Sequence, residues 1–151
     1  MLKANLILEV PSLYILMMKK IKTICIIDDD PIFRFGTIKM MENVQLSLNF
    51  LVYKNGKDAY DQLLPKLQLN TNLPDAILLD LNMPVMDGWQ FLDELAKIPI
   101  AENIPIYIVS SSVDNRDIKK AKTYKMVNKY IIKPFSIPKI KELIEELENQ
   151  D

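Results

Sequence analysis

Four short apolar runs in this chain each end on a polar side chain. Ile24, Cys25, Ile26 and Ile27 lead into Asp28-Asp29, and Ala76, Ile77, Leu78 and Leu79 into Asp80. Ile106, Tyr107, Ile108 and Val109 lead into Ser110, and Tyr130, Ile131 and Ile132 into Lys133. Runs this short and continuous, bounded by turn chemistry, have the pattern of strands buried on both faces. If the strands lie parallel, their C-terminal ends share one edge of the sheet, where α/β folds place their sites. Three carboxylates, a hydroxyl and an ammonium then converge. Acids gathered around one lysine suit the holding of a divalent cation and the receipt of a phosphoryl group.

From Ile21 onward, strand-like and helix-like segments alternate five times, which predicts βαβ units and a parallel sheet. Asp30-Pro31 reads as the N-cap and first position of a helix, with Ile32, Phe35, Ile38 and Met41 following at helical spacing. Leu46 to Tyr53 reads as a second strand, Asn55-Gly56 as a turn, and Lys57 to about Leu67 as a second helix with Pro65 near its end. Pro84 and Gly88 make 81–88 a loop, and Trp89 to Ile98 is a third helix stopped by Pro99. A fourth helix starts near Asp114 and runs to about Tyr124, with a thin apolar stripe (Ile118, Ala121) among Lys119, Lys120 and Lys122. The last, from Ile137 to about Leu147, shows Ile140, Leu143, Ile144 and Leu147 on one face.

A chain of 151 residues is about one domain and can bury a core without covalent staples. Its net charge of −1 argues against a nucleic-acid partner held by bulk electrostatics. The single cysteine, Cys25, sits inside an apolar run and reads as a core residue, and nothing points to an oxidising compartment, so a cytoplasmic location is expected. The chain has no histidine. That excludes Ser-His and Cys-His nucleophile pairs and an ordinary zinc site, leaving carboxylates, hydroxyls, lysines and a metal to do any chemistry.

Residues 1–19 differ from the rest: mostly apolar from Ala4 to Met18, interrupted by Glu9 and Pro11, and too short to span a bilayer. A secretory signal lacks its small-residue cleavage site here. The preferred reading is an extension outside the domain, with translation starting at Met17 or Met18; a folded extra strand or helix stays open. The expected organisation is an extension over 1–19, a domain over 20–148 and a tail over 149–151.

Adjacent Asp28 and Asp29 would point to opposite faces of a regular strand, but at a strand end both can turn into one pocket. With Asp80 they place up to three negative charges together, which raises carboxylate pKa values and calls for a cation beyond Lys133. Mg²⁺ is the natural choice, because it uses few carboxylates and keeps several waters. An aspartate attacking phosphorus fits this set, with the work done by positioning and charge stabilisation.

The segments Ile26-Ile27-Asp28-Asp29-Asp30-Pro31, Leu78 through Gly88, Ser110, and Tyr130-Ile131-Ile132-Lys133-Pro134-Phe135 strongly resemble the receiver domains of two-component response regulators, from about Lys20 to Leu147. The resemblance implies a flavodoxin-like (βα)5 fold with strand order 2-1-3-4-5. It implies that Asp80 is the phosphoacceptor. Asp29, Asp80 and the backbone carbonyl of Asn82 would bind Mg²⁺, with Asp28 acting mainly through a metal-bound water. Lys133 would pair with the phosphoryl group, Ser110 and Tyr130 would be the switch residues, and Lys133-Pro134 would be a cis peptide. Asn82 and Ser112 would tune the rate of dephosphorylation. Two plainer readings stand beside these: Ser111 or Ser112 could be mistaken for Ser110, and Tyr130 could simply pack.

The implied function is a stand-alone response regulator. It would take phosphate from a sensor histidine kinase or phosphotransfer protein, as a monomer or a weak phosphorylation-dependent dimer. The face made by the fourth helix, fifth strand and fifth helix would then act on a downstream protein, or the phosphate would pass on. No nucleic acid or membrane partner is expected, and no enzymatic activity beyond its own phosphorylation and dephosphorylation. The competing reading, a Mg²⁺-dependent phosphatase with an aspartyl-phosphate intermediate, needs an acid two residues after the nucleophile, and position 82 is Asn. A dinucleotide-binding domain fails because Gly36, Gly56 and Gly88 form no G-x-G-x-x-G turn.

Overall fold

Successive residues of a strand point to opposite faces, so an unbroken apolar run such as Ile24 to Ile27 needs a covering layer on each side. The structure, a computed structural model describing residues 20–45 and 47–150, supplies both layers. Its elements are β1 (Thr23–Ile27), α1 (Pro31–Val44), β2 (Asn49–Tyr53), α2 (Gly56–Leu69), β3 (Ala76–Leu79) and α3 (Gly88–Ala96). A 3₁₀ turn (Pro99–Asn103), β4 (Ile106–Ser110), α4 (Asn115–Ala121), β5 (Val127–Ile132) and α5 (Ile137–Glu148) follow. The five strands are parallel, in the order β2-β1-β3-β4-β5.

Cys25, Ile27, Ile77, Leu79, Ile106 and Ile108 pack on one side against α2 and α3, through residues such as Leu63, Leu67, Phe91 and Leu95. Ile24, Ile26, Leu78, Tyr107 and Val109 pack on the other against Met41 of α1 and Ile140, Leu143, Ile144 and Leu147 of α5. Each fully buried side chain of this kind contributes about 2 kcal/mol, so both layers are needed to hold the sheet. The chain reverses its direction of travel across the sheet between β1 and β3, and at such a switch point a crevice opens at the strand C-termini. Asp28, Asp29 and Asp80 follow those two strands.

Several expectations need adjusting. The fifth run is not buried on both faces: at the edge that the order 2-1-3-4-5 gives it, Lys129 is exposed and Ile132 is 37% exposed. On α1, Ile38 and Met41 of the expected stripe face the core, but Ile32 and Phe35 are 82% and 64% exposed, and Thr37 is buried in addition, with Phe33 and Val44 partly covered. The helical period admits both sets, and only packing on the sheet selects among them. The second strand begins at Asn49 rather than Leu46, which lies outside the described residues, as does the expected extension over 1–19. The second helix carries Pro65 inside it and ends two residues later than expected, at Leu69. The third ends at Ala96 and the fourth at Ala121, each passing into tighter turns. Among the described residues, no helix is long and apolar enough to cross a membrane.

Thr37 is buried and its hydroxyl has no hydrogen-bond partner. A buried unpaired hydroxyl costs about 1–3 kcal/mol, whereas a methyl group of the same shape does not. Thr37→Val is therefore expected to raise Tm by about 3 °C in thermal unfolding followed by circular dichroism. A fall in Tm would show that this hydroxyl is satisfied in solution.

Candidate functional site

Asp80 ends up inward because its strand is pinned to its neighbour up to the last residue: the Asp80 N–H donates to the Ile27 carbonyl at 2.9 Å. Its side chain is buried, and Oδ1 accepts the Leu81 N–H at 2.9 Å, which sets the plane of the carboxylate. Asp28, one residue beyond β1, is buried as well, with Oδ1 accepting the Asp30 N–H at 2.9 Å. Asp29 is exposed. Each of the three nonetheless offers a carboxylate oxygen within 4.8 Å of the others, so both adjacent aspartates do turn into one pocket.

Lys133 arrives from the end of β5. Its Nζ donates to Asp28 Oδ2 at 2.8 Å and lies 3.9 Å from Asp80 Oδ1. The ammonium also sits 4.2 Å from the centroid of the Phe33 ring, a favourable place for a cation. The backbone on either side holds this arrangement: Lys133 N–H donates to the Ser110 carbonyl at 2.8 Å, and the Lys133–Pro134 peptide is cis.

Three carboxylates thus face one ammonium. Burial and the nearby Asp28 carboxylate push the Asp80 pKa up from 3.8 to about 6. Burial also raises that of Asp28, even though Lys133 and the Asp30 N–H pull it down. Hard oxygen donors with an unbalanced negative charge are the donor set a divalent cation such as Mg²⁺ takes, so these residues fit such an ion.

The loop after Asp80 closes over the site. Gly88 N–H donates to the Leu81 carbonyl at 2.9 Å, and a Cβ on Gly88 would stand 2.5 Å from the Asp80 carbonyl oxygen. Only glycine permits that approach. Asp87 then caps α3 in a reciprocal box with Gln90. Asn82, in the same loop, is exposed.

On the other side, Ser110 is fully buried and its Oγ accepts the Ser112 N–H at 3.1 Å. Tyr130 is half-buried, and its hydroxyl donates to the Ser112 carbonyl at 2.9 Å. Ser112 is itself half-buried and Ser111 exposed, which singles out Ser110 as the inward hydroxyl of the three.

Every side chain expected at the site lies at the C-terminal edge of the sheet. Three contributors went unnoticed in the sequence. Phe33 covers Lys133, Arg34 Nη1 donates to the Asp28 carbonyl at 2.7 Å, and Asp117 Oδ2 accepts the Ser112 hydroxyl at 2.7 Å. Phe33 and Arg34 follow the helix start Asp30-Pro31 directly, and that nearness to the acid pair was the one available signal.

Comparison with known proteins bears on the same segments. The profile of the response regulator receiver domain matches residues 24–145. A probable methanogenesis regulatory protein, FilR2 of Methanothrix harundinacea, is 32% identical over 94 residues, covering 62% of this chain and 60% of that protein's length. The crystal structure of a two-component response regulator from Cytophaga hutchinsonii superposes with a TM-score of 0.78 at 27% identity, over 87% of this chain and all of that one. The phosphorylated cyanobacterial phytochrome response regulator RcpA superposes with a TM-score of 0.64 at 25% identity, over 85% of this chain and 92% of that one. With the match running from the second residue of β1 into the last turn of α5, the chain belongs to the response regulator receiver domain family.

Proposed function

We propose that Asp80 accepts a phosphoryl group from the phosphohistidine of a sensor kinase or phosphotransfer protein, and that the resulting acyl phosphate switches a protein-binding face. The observation that carries this reading is the carboxylate geometry: Asp80 buried and oriented, two further carboxylates within 4.8 Å, and one ammonium within 3.9 Å. Family membership supports it, as does the likeness to a receiver solved in its phosphorylated form.

In the transfer, an Asp80 carboxylate oxygen forms the new P–O bond while the P–N bond to the donor imidazole breaks, and the imidazole keeps that electron pair and is protonated from solvent. The attacking oxygen must be ionised, which the raised pKa opposes. Lys133 answers part of this, because its ammonium faces Asp80 and can follow the phosphoryl oxygens. Asp28, Asp29, Asp80 and the Asn82 carbonyl would hold Mg²⁺, which when bound supplies the remaining positive charge against the phosphoryl oxygens. Asn82 and Ser112 border the path of the hydrolytic water and would set the lifetime of the acyl phosphate.

The new phosphoryl oxygens are strong acceptors. The buried Ser110 hydroxyl, on the residue whose carbonyl accepts the Lys133 N–H, would rotate to donate to one of them, and Tyr130 would respond through its bond to Ser112. Tyr130 lies in the wall of two grooves beside β5. One, of about 310 Å³, is lined with Lys129, Ile132, Lys139 and Glu142, and the other, of about 300 Å³, with Ile118, Lys122 and Asn128. A downstream protein seated there would read the switch.

Phosphotransfer from a panel of autophosphorylated histidine kinases, with Mg²⁺ present, is expected to label the chain rapidly from one donor, with Asp80→Asn taking up no label. Equal labelling of the Asp80→Asn protein would move the acceptor elsewhere.

The charge imbalance also makes stability depend on pH. Because the folded pKa of Asp80 is about 6 against an ordinary 3.8, its ionised form is disfavoured in the fold. The penalty is absent below the unfolded value, grows as pH rises and is complete above the folded one. In the metal-free protein, Asp80→Asn is therefore expected to be more stable than wild type by about 2 kcal/mol at pH 7, and equal to it near pH 4. Mg²⁺ should narrow the gap at pH 7 by stabilising wild type. Denaturant unfolding at both pH values checks this; a difference independent of pH and of Mg²⁺ would remove the electrostatic account.

A further inference from the structure

Helix α4 is tied down differently from the others. Ala121 is its one buried residue, whereas α5 buries four. Polar contacts hold it instead: the Asp114 carboxylate caps the Arg116 N–H and pairs with its guanidinium, and a second set of contacts meets at Ser112. The Ser112 hydroxyl donates to Asp117 Oδ2 at 2.7 Å and accepts the Asp114 N–H at 3.3 Å. The same residue's N–H donates to Ser110 Oγ, and its carbonyl accepts the Tyr130 hydroxyl. One residue thus joins the buried hydroxyl at the end of β4, the half-buried tyrosine of β5 and the start of α4.

We propose that Asp117 is a positioning residue of the switch: by accepting the Ser112 hydroxyl it makes α4 follow the Ser110 loop when the Asp80 site is filled. The inference rests on Asp80 being the acceptor. When the Ser110 hydroxyl turns toward an oxygen held at Asp80, the Ser112 N–H loses its partner and the Ser112 backbone is free to move. Its carbonyl passes that movement to Tyr130. Only its side chain passes it to α4, because α4 has little apolar contact to transmit it otherwise.

The far end of α4 provides the readout. Trp89, the sole tryptophan, stacks on Tyr124 at 5.9 Å between centroids, with the Lys120 ammonium 4.6 Å above its ring. Tyr124 is fixed to α3 through its hydroxyl, which donates to Asp93 Oδ1 at 2.7 Å. A shift of α4 moves Lys120 relative to Trp89 and changes its fluorescence.

The test uses the full chain with Mg²⁺ and beryllofluoride as the phosphoryl analogue. Fluorine NMR reports occupancy of the site, and Trp89 fluorescence with amide shifts over 115–121 reports α4. Asp117→Ala removes the acceptor, whereas in Asp117→Asn the amide oxygen still accepts from Ser112. Asp117→Ala is expected to bind beryllofluoride within about threefold of wild type yet lose more than about half of the α4 response, with Asp117→Asn keeping it. A purely structural role would lower Tm without changing the response at saturation. A wild-type response in Asp117→Ala overturns the inference, and so does an equal loss in Asp117→Asn, which would make charge rather than the hydrogen bond responsible. If wild type gives no bound-fluoride signal, the acceptor reading falls and this inference with it.

Discussion

One ammonium faces three carboxylates at the C-terminal edge of the sheet, and the rest of the site follows from that imbalance. The Lys133–Asp28 contact joins residues 105 positions apart, from the end of the edge strand β5 to the end of β1, with β3 and β4 between them. It forms only once those four strands are in register. A buried ion pair of this kind adds little net stability, because desolvation offsets the attraction, yet removal of one partner leaves an uncompensated charge. The pair therefore serves geometry more than stability. It holds an ammonium beside the Asp80 carboxylate, with the Phe33 ring against it.

The remaining negative charge is carried at a cost to the fold. Asp80 sits among Ile27, Leu79 and Leu81, in surroundings that favour its neutral form, and the protein keeps it in position through the Leu81 N–H and the β3 ladder. Strain nearby points the same way. Val85, in the loop over the site, has φ of 70°, a left-handed conformation that a β-branched residue rarely adopts. Loops that hold such a conformation do so because the surrounding contacts over-determine it, and here Gly88 and Gly56 bring backbone close enough for the loop to bond on both sides. Stability yields to placement throughout this edge of the sheet.

Away from the acids, the domain grades from rigid to loosely held. The central strands β1, β3 and β4 are buried along nearly their whole length, so a change at Asp80 has little freedom to spread through them. The β4–α4 connection is different. Its contacts are hydrogen bonds among serines and aspartates, which exchange partners at small cost compared with repacking a core. On the proposed reading, a new acceptor at Asp80 would find its easiest route through Ser110 and Ser112 toward α4 and Tyr130.

The sequence alone determined the architecture, and the reason is periodicity. Unbroken apolar runs alternating with helical segments call for a two-sided parallel sheet, and such a sheet puts the polar residues that end those runs on one edge, whereas the strand order was what the family resemblance implied. Asp28, Asp29, Asp80, Ser110 and Lys133 were legible for that reason, as was Asp30 as a cap. Tertiary structure alone decided the rest. Which part of the α1 stripe is buried could not be read, since Ile32 and Phe35 fit the helical period as well as Ile38 and Met41 do, and the choice depends on the surface that α1 meets. The exposure of Lys129 and Ile132 on β5 depends on what covers that strand, which its local apolar run does not encode. Phe33 over Lys133 and Asp117 on Ser112 are contacts between side chains whose directions are set only when helices dock. Periodicity is a property of neighbours along the chain, whereas these contacts belong to neighbours in space.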